Sequence, residues 1–379
     1  MKRGATISGR PELRTSYRAD MALLNSRPKR LGAGVILAAA LAAPFLITDA
    51  LLAIAALACA AAIGAIGLNL VSGYAGQVSL GHAFFIGAGA FTAAALTGDP
   101  GESVYGLGLQ WIVAVPAAGL VAAVLGFLVS PIASRFRGLY LAIATLGLVF
   151  LGEHILDNWR SLTGGAGAGR RGVIAEIGGV RLDQPTEVAG LVLTTSQQLY
   201  LLALVLLVVL AVLARNLARS AVGRAFEAIR DRDIAAEVMG VRLGRHKMIA
   251  FTLSSFYAGV SGAVYYTVIN QINPESFNLL LSVQFIAMVL IGGIATISGS
   301  IMGAFFITFL PRITRELPAI VPFLTAEPTL RDGALLTVFQ LEAILYGVLI
   351  VGFLILEPRG LYGLWVRVRN YWKGWPFTY

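Results

Sequence analysis

The sequence predicts an all-α, polytopic integral membrane protein, and three observations lead to that class. Of its 379 residues, 57% are hydrophobic and only 13% are charged, whereas roughly a quarter of the residues of a soluble domain are charged. Apolar runs of about 20 residues, each able to cross a hydrocarbon core of ~30 Å, recur along the chain. The 43 glycines suit helices that pack closely through small residues.

The apolar runs predict about ten transmembrane helices, some of them broken by Gly-rich segments. Only Asp49 separates the first run from the second, so that boundary is the least defined. The runs form a transmembrane body at 31–356, between a polar tail at 1–30 and a second tail at 357–379. In chain order they are 31–48, 50–70, 80–97, 110–130, 138–157, 198–215, 248–269, 278–296, 299–317 and 334–356.

The loop charges predict the orientation of these spans. Basic residues collect on the cytoplasmic side of membrane proteins, and a cytoplasmic N-terminus places 22 of the 29 Lys and Arg residues in inside segments. Both termini are therefore predicted to be cytoplasmic, and 158–197 is predicted to be an external loop. The inside segments are 1–30, 131–137, 215–247 and 357–379.

The net charge of +9 follows from this asymmetry. It predicts contact with anionic membrane lipid and no nucleic-acid surface. The first tail has no apolar run before Leu31, so it is not predicted to be a cleavable signal peptide.

Several kinds of site are not expected in this chain. Cys59 is the single cysteine, so an internal disulfide is impossible, and the three histidines lie too far apart in the predicted topology to share a metal. No Gly-x-x-x-x-Gly-Lys-Ser/Thr phosphate loop is present. The glycines at 167–172 have dinucleotide-fingerprint spacing but follow no predicted strand. We therefore predict no cofactor and no catalytic residue, and we expect that the chain is not an enzyme.

Residues 67–91 form a polar, Gly-rich interruption between two apolar runs. Such a segment is stable at membrane depth only where it is buried in protein or lines a water-filled path, and broken helices of this kind mark transport routes. Its polar side chains are therefore predicted to contribute to a translocation pathway. They are Asn69, Ser72, Gln77, Ser79 and His82.

A shorter Gly/Ser/Thr-rich segment at 292–306 resembles 81–91, and both end in a Gly-Ala-Phe pattern. Two related halves facing each other across a pathway would produce such a likeness. Small residues selected for helix packing are the alternative explanation.

The inside loop at 216–247 has apolar residues interspersed with Arg, Asp and Glu between Ala225 and Met239. This pattern predicts short amphipathic helices, with Gly240 as their stop. A helix lying on lipid headgroups is the alternative, but alternating Arg and Asp residues suit a protein-binding face better.

These segments resemble the permease subunits of bacterial ABC importers for branched-chain amino acids, the LivM family. The resemblance runs from about residue 35 to Leu364. Its most specific parts are 67–91 and the closing Glu357-Pro-Arg-Gly-Leu-Tyr-Gly363. Where many family members have Gln, this chain has His82.

The resemblance implies a bacterial inner-membrane permease that translocates branched-chain or related amino acids. The implied partners are a second, homologous permease (LivH-like), two ATPase subunits that bind the ATP, and an extracytoplasmic substrate-binding protein. It also implies that the loop at 216–247 couples the permease to the ATPases, through Glu237 and Gly240 with Arg224 and Arg230 in support.

Two other function classes remain open. An ion-coupled secondary transporter of small polar solutes would need acidic or His residues at mid-membrane depth, where only Glu342 fits, and it leaves the inside loop unexplained. A channel would need a repeated filter pattern, which the sequence lacks.

Glu153 and Asp157, four residues apart near the outer end of the fifth span, are either solvated at the interface or part of a pathway or docking site.

Overall fold

The computed structural model describes residues 27–99, 104–136, 138–165, 167, 169–188, 191–314, 324–325, 336–357 and 359–374. Helices dominate this part of the chain, which confirms the predicted all-α membrane class. The predicted polar tail at 1–30 lies outside the described residues except for its last four.

Most of the helices follow the apolar runs, and shorter ones occur between them. They are α1 (Arg27–Leu46), α2 (Asp49–Asn69), α3 (His82–Thr97), α4 (Trp111–Arg135), α5 (Leu139–Asn158), α6 (Arg160–Thr163), α7 (Thr195–Arg219), α8 (Ala221–Asp231), α9 (Asp233–Val238), α10 (Leu243–Ile269), α11 (Leu279–Gly292), α12 (Ile297–Thr314), α13 (Val338–Leu356) and α14 (Gly360–Gly374).

Each of the ten predicted spans coincides with one of these helices, but the count of ten is not confirmed. Within the described residues, six helices are long and apolar enough to cross a membrane. Three apolar helical segments are shorter, at Leu31–Leu46, His82–Thr97 and Leu279–Gly292. The helices α13 and α14 form a pair bent by 44°. Because α14 runs from Gly360 to Gly374, most of the tail predicted at 357–379 is helical.

The core lies around α2 and α10. In the apolar 18-residue stretch of each candidate span, the buried share of residues is 78% for the span that contains α2 and 67% for α10. In the other four spans it is 28–39%. Small residues allow this close packing: a Cβ at Gly89 of α3 would overlap the backbone of Gly259 in α10. Most outer helices instead expose apolar side chains, as expected for surfaces that contact lipid.

Short two-stranded sheets occur outside the helices. Two pairs lie within the loop at 158–197: β2 (Glu176–Ile177) with β3 (Val180–Arg181), and β4 (Thr186–Val188) with β5 (Leu191–Leu193). A third pair joins β1 (Arg170–Arg171) of this loop to β6 (Gln271–Ile272), which lies between α10 and α11. The last pair, β7 (Leu324–Thr325) and β8 (Leu336–Thr337), is parallel.

Arg170 holds the external loop onto the helices. It is 6% exposed and donates hydrogen bonds to the carbonyls of Leu162, Ala94 and Tyr105 at 2.8, 2.9 and 3.0 Å. Gly164, Gly165, Gly167 and Gly169, which precede it, all have positive φ, a conformation that glycine adopts without strain.

Candidate translocation and coupling site

The polar interruption between α2 and α3 is a true break in the helix. The last turn of α2 widens into a π-helical turn, Leu70–Tyr74, and the chain then runs without regular structure to α3. Gly76 lies in this stretch with φ +67°, a conformation that glycine adopts without strain.

Neighbouring helices supply hydrogen-bond partners for the broken backbone. Thr145 of α5 accepts from the Leu80 amide at 2.9 Å, and Ser282 of α11 accepts from the Ala83 amide at 3.0 Å. Both hydroxyl-bearing side chains are buried. Sequence reasoning missed them because a lone Ser or Thr within an apolar run gives no sign of which distant amide it will meet.

Asn69 connects this break to the second Gly-rich segment. Its side-chain amide donates to the Thr296 carbonyl at 3.0 Å and to the Ser300 hydroxyl at 2.8 Å, and its oxygen accepts from the Ala295 amide at 2.9 Å. A Cβ at Gly73 would overlap that oxygen, so the arrangement requires glycine there. The Asn69 side chain thus serves to join the two segments.

Three other predicted pathway residues, Ser72, Ser79 and His82, differ in burial. Ser79 is buried, and its hydroxyl accepts from the Gly81 amide at 3.3 Å. His82 is buried against Phe285, with ring centroids 5.1 Å apart, and its Nε2 finds no hydrogen-bond partner among the described residues. Ser72 is half-buried.

Gln77 faces a polar cavity of about 250 Å³, which we call the inner cavity. Neither Nε2 nor Oε1 of the Gln77 side chain has a hydrogen-bond partner in the described part of the chain. Charged residues from α8, α9 and the start of α10 line the same space. They are Arg230, Asp231, Arg232, Asp233 and Lys247.

The inside loop forms the two helices that the sequence predicted, α8 and α9. Ser220 caps α8 by accepting from the amides of Val222 and Gly223. Phe226 and Ile229, three residues apart, are 1% and 5% exposed, so α8 buries its apolar stripe in the protein.

Arg230, one of the predicted coupling residues, contacts the backbone of the helix break. Its guanidinium donates to the Gly73 carbonyl at 3.3 Å and to Asp231 at 3.0 and 3.1 Å. A Cβ at Gly76 would lie 2.8 Å from Arg230 Cγ. The end of α8 is therefore packed directly on the break.

The second short helix presents a different surface. Ile234, Val238 and Met239 are 69%, 82% and 84% exposed, and we call these three residues the apolar tip. Gly240 ends the helix with φ +89°, as its predicted role as a stop requires. Arg224 and Glu237 are exposed in the same loop.

The pattern between Ala225 and Met239 predicted the helices but did not single out Ile234 as part of an exposed apolar tip. The spacing of Ile234 and Val238, four residues apart on a helix, was the available signal. Which apolar residues would face the protein and which would face outward could not be read from that spacing.

A larger cavity of about 360 Å³ lies at the opposite end of α2 and α10, and we call it the outer cavity. Glu342 lines it, and Thr314 donates to the Glu342 carboxylate at 2.9 Å, which identifies a partner that the sequence could not name. Most other lining residues are apolar or aromatic. The full lining is Ile54, Leu57, Ala61, Ile86, Ser261, Tyr265, Tyr266, Leu281, Gln284, Phe285, Met288, Ile307, Thr308, Pro311, Arg312, Glu342 and Tyr346.

The charged residues near the outer end of α5 belong to neither cavity. Glu153 and Asp157 are half-buried, and Asp157 Oδ1 lacks a hydrogen-bond partner within the described ranges. Across all the residues that the structure describes, no group of three or more His, Cys, Asp or Glu side chains could hold a metal ion.

Comparison with known proteins places this geometry in a family context. The family model described as "Branched-chain amino acid transport system / permease component" matches residues 50–354. The chain is 33% identical over 294 residues to the high-affinity branched-chain amino acid transport system permease protein LivM of Escherichia coli (strain K12). That match covers 74% of this chain and 67% of the relative, and the figures for LivM of Salmonella typhimurium are the same.

A shorter match is to the autoinducer 2 import system permease protein LsrC of Klebsiella pneumoniae subsp. pneumoniae. It is 37% identical over 98 residues, which is 24% of this chain and 28% of the relative. No solved structure matches the chain.

Proposed function

Because the chain belongs to the family of permease components of branched-chain amino acid transport systems, we propose that it is a membrane-spanning subunit of an ABC uptake transporter. Its substrates are leucine, isoleucine and valine or closely related amino acids. The short similarity to an autoinducer 2 permease makes other small polar solutes the alternative cargo.

The observation that carries this proposal is the contact between α8 and the helix break. Arg230 donates to the Gly73 carbonyl within the break, and Phe226 and Ile229 fix α8 in the protein interior. A displacement of α8 would therefore pull directly on the segment between α2 and α3. This is the connection that a permease needs if force from ATP hydrolysis is to change its pathway.

The apolar tip is the proposed docking point for an ATPase subunit. An exposed apolar helix end with charged neighbours suits a hydrophobic groove on a partner. Ile234, Val238 and Met239 supply the apolar contacts, while Arg224 and Glu237 supply charges around them. Gly240 shapes the exit of the chain from this surface.

The complete transporter would contain this chain, a second homologous permease, two ATPases and an extracytoplasmic substrate-binding protein. It would lie in the bacterial inner membrane with both termini of this chain in the cytoplasm. ATP would be bound by the ATPases alone.

The proposed pathway runs between the outer and inner cavities, past the helix break. Gln77 contacts the inner cavity directly, and Ser72 is half-buried. The buried Ser79 and His82 would line the pathway only when the break rearranges during turnover. Asn69 would act by holding the two Gly-rich segments together.

An ion-coupled secondary transporter remains the alternative, and Glu342 is the residue that would serve it. The two mechanisms are separated by energising uptake in proteoliposomes. ATP-dependent uptake without ion gradients supports the ABC assignment, and uptake driven by a gradient without ATP contradicts it.

The coupling role is tested at Gly240 and Glu237. Gly240→Val places a β-branched residue at φ +89°, where it is strained, although no atom lies within 4 Å of the added Cβ. Glu237→Arg reverses a charge, and a like charge against a partner can cost several kcal/mol. Both variants should insert at normal abundance, lose their ATPases on purification and fail to support uptake.

Gly240→Asn is the matched control, because asparagine tolerates positive φ better than other side chains. It should retain the ATPases and most of the uptake. If Gly240→Val and Glu237→Arg both keep their ATPases and full uptake, this loop is not the coupling element.

A further inference from the structure

The outer cavity, at one end of the proposed pathway, combines opposite charges with an apolar wall. Its volume of about 360 Å³ lies within the ~300–1,000 Å³ range of small-molecule sites. Glu342 and Arg312 contribute a carboxylate and a guanidinium to the lining, whereas Leu57, Ile86 and Met288 contribute aliphatic surface. The inner cavity, by contrast, is lined mainly by charged and polar groups.

We infer that the outer cavity is a binding site for a free, zwitterionic α-amino acid with an aliphatic side chain. Glu342 accepts hydrogen bonds from the ammonium group, Arg312 donates to the carboxylate, and the aliphatic wall holds the side chain. This inference rests on the proposed function and adds a site at which this chain itself recognises the substrate.

Glu342 is positioned to accept from a ligand. Within the described part of the chain, its carboxylate accepts one hydrogen bond, from Thr314, and a carboxylate can accept about four. Tyr346 lies four residues further along α13, on the same helix face, and also lines the cavity. The side chain is therefore oriented while acceptor capacity remains.

The wall formed by α12 adds the donor, Arg312, which lines the cavity. Arg312 has five N–H donors in a planar fork that matches a carboxylate, so it can bind a ligand in addition to its contacts within the protein.

The aliphatic wall accounts for the side-chain class. A pocket with both charges satisfied but apolar elsewhere discriminates against polar side chains, because these would lose their water without gaining partners. It also discriminates against glycine, which would bury no apolar surface.

A thiol-protection experiment on the complete transporter in detergent tests the site. Thr308→Cys, in a Cys59→Ala background, places a thiol in the cavity lining, where a small water-soluble reagent should label it. L-leucine should slow that labelling. Equal concentrations of 4-methylpentanoate, which lacks the ammonium, of 3-methylbutylamine, which lacks the carboxylate, and of glycine should not.

Adding Glu342→Gln should raise the leucine concentration needed for half-protection by about tenfold or more, because a charge-assisted hydrogen bond is lost. Glutamine retains an oxygen that can accept from Thr314, so the fold should be preserved. Gln184→Cys on the exposed external loop is the control, and leucine should not change its labelling.

Three results would each overturn the inference. They are protection by the amine or the acid as strong as by leucine, protection unchanged by Glu342→Gln, and a thiol at position 308 that never reacts. In each case, intact ATP-driven uptake by the unmodified transporter would leave the proposed function in place. Loss of the proposed function would instead show as unmodified transporter that neither binds ATPases nor takes up amino acids with ATP.

Discussion

At the scale of single residues, Asn69 is the side chain on which the centre of the structure most depends. It makes three hydrogen bonds to residues more than 220 positions away in sequence. It is 1% exposed, so water does not replace a lost partner. The residue therefore links the first helix break to the turn between α11 and α12.

We expect Asn69→Ala to lower the thermal stability of the purified protein markedly. The substitution leaves the part-buried Ala295 amide without its acceptor, and a buried unsatisfied group costs about 1–3 kcal/mol. The Thr296 carbonyl keeps its hydrogen bond from the Ser300 amide. Differential scanning fluorimetry of the detergent-solubilised protein would measure the change in unfolding temperature.

The control for this substitution is Asn158→Ala. Asn158 is exposed and bonds mainly within its own helix, to the His154 carbonyl, so its removal should have little effect. Equal unfolding temperatures for the two variants would show that the Asn69 hydrogen bonds contribute no net stability.

At the scale of elements, the main feature is that the helix break and α8 form one contact unit. The break is held on one side by hydroxyl groups of α5 and α11 and on the other by Arg230 at the end of α8. Gln77 lies between them and faces the inner cavity. A segment held by three helices can respond to movement of any one of them.

Cysteine accessibility should reveal a gradient along the break. In a Cys59→Ala background, Gln77→Cys should react with a small water-soluble thiol reagent, because residue 77 lines the inner cavity. Ser72→Cys, at a position that is half-buried and so more exposed than Gln77, should also react. Ser79→Cys, at a buried position, should react only when ATP turnover rearranges the break.

The measurement is the labelling rate of each thiol with and without ATP in the assembled transporter. Uniform inertness of all three thiols, in variants that transport normally, would mean that the break is a buried packing kink and no part of the pathway.

At the scale of the whole molecule, helix length and loop charge together set the topology. His82–Thr97 has 16 residues and Leu279–Gly292 has 14, so at 1.5 Å per residue they span only about 24 and 21 Å. A hydrocarbon core is ~30 Å thick. These two helices cross it only if the irregular segments beside them lie within the protein at membrane depth, which is allowed where backbone groups are paired.

We expect both termini to be cytoplasmic, because basic residues concentrate in the segments that this orientation places inside. Reporter fusions at residues 1 and 379 should both give the signal of the cytoplasm. An external C-terminus would require an odd number of crossings and would mean that one predicted span, with 31–70 the first to re-examine, does not cross the membrane.

The sequence by itself determined the membrane class, the position of the helix break and the amphipathic inside loop. Those features depend on local patterns: hydrophobicity over about 20 residues, glycine between apolar runs, and charge alternating with apolar residues at helical spacing. Gly240 was predicted to stop its helix for the same reason, since a positive φ is a local property of the chain.

Only the tertiary structure decided which of the chosen residues meet. Arg230 contacts Gly73 across 157 residues, and Asn69 contacts Ser300 across 231. It also decided that Ile229 is buried while Ile234 is exposed, and that Glu342 shares a cavity with Arg312. These outcomes depend on how helices pack against each other, and the periodicity of one helix specifies which face is apolar but not which partner covers it.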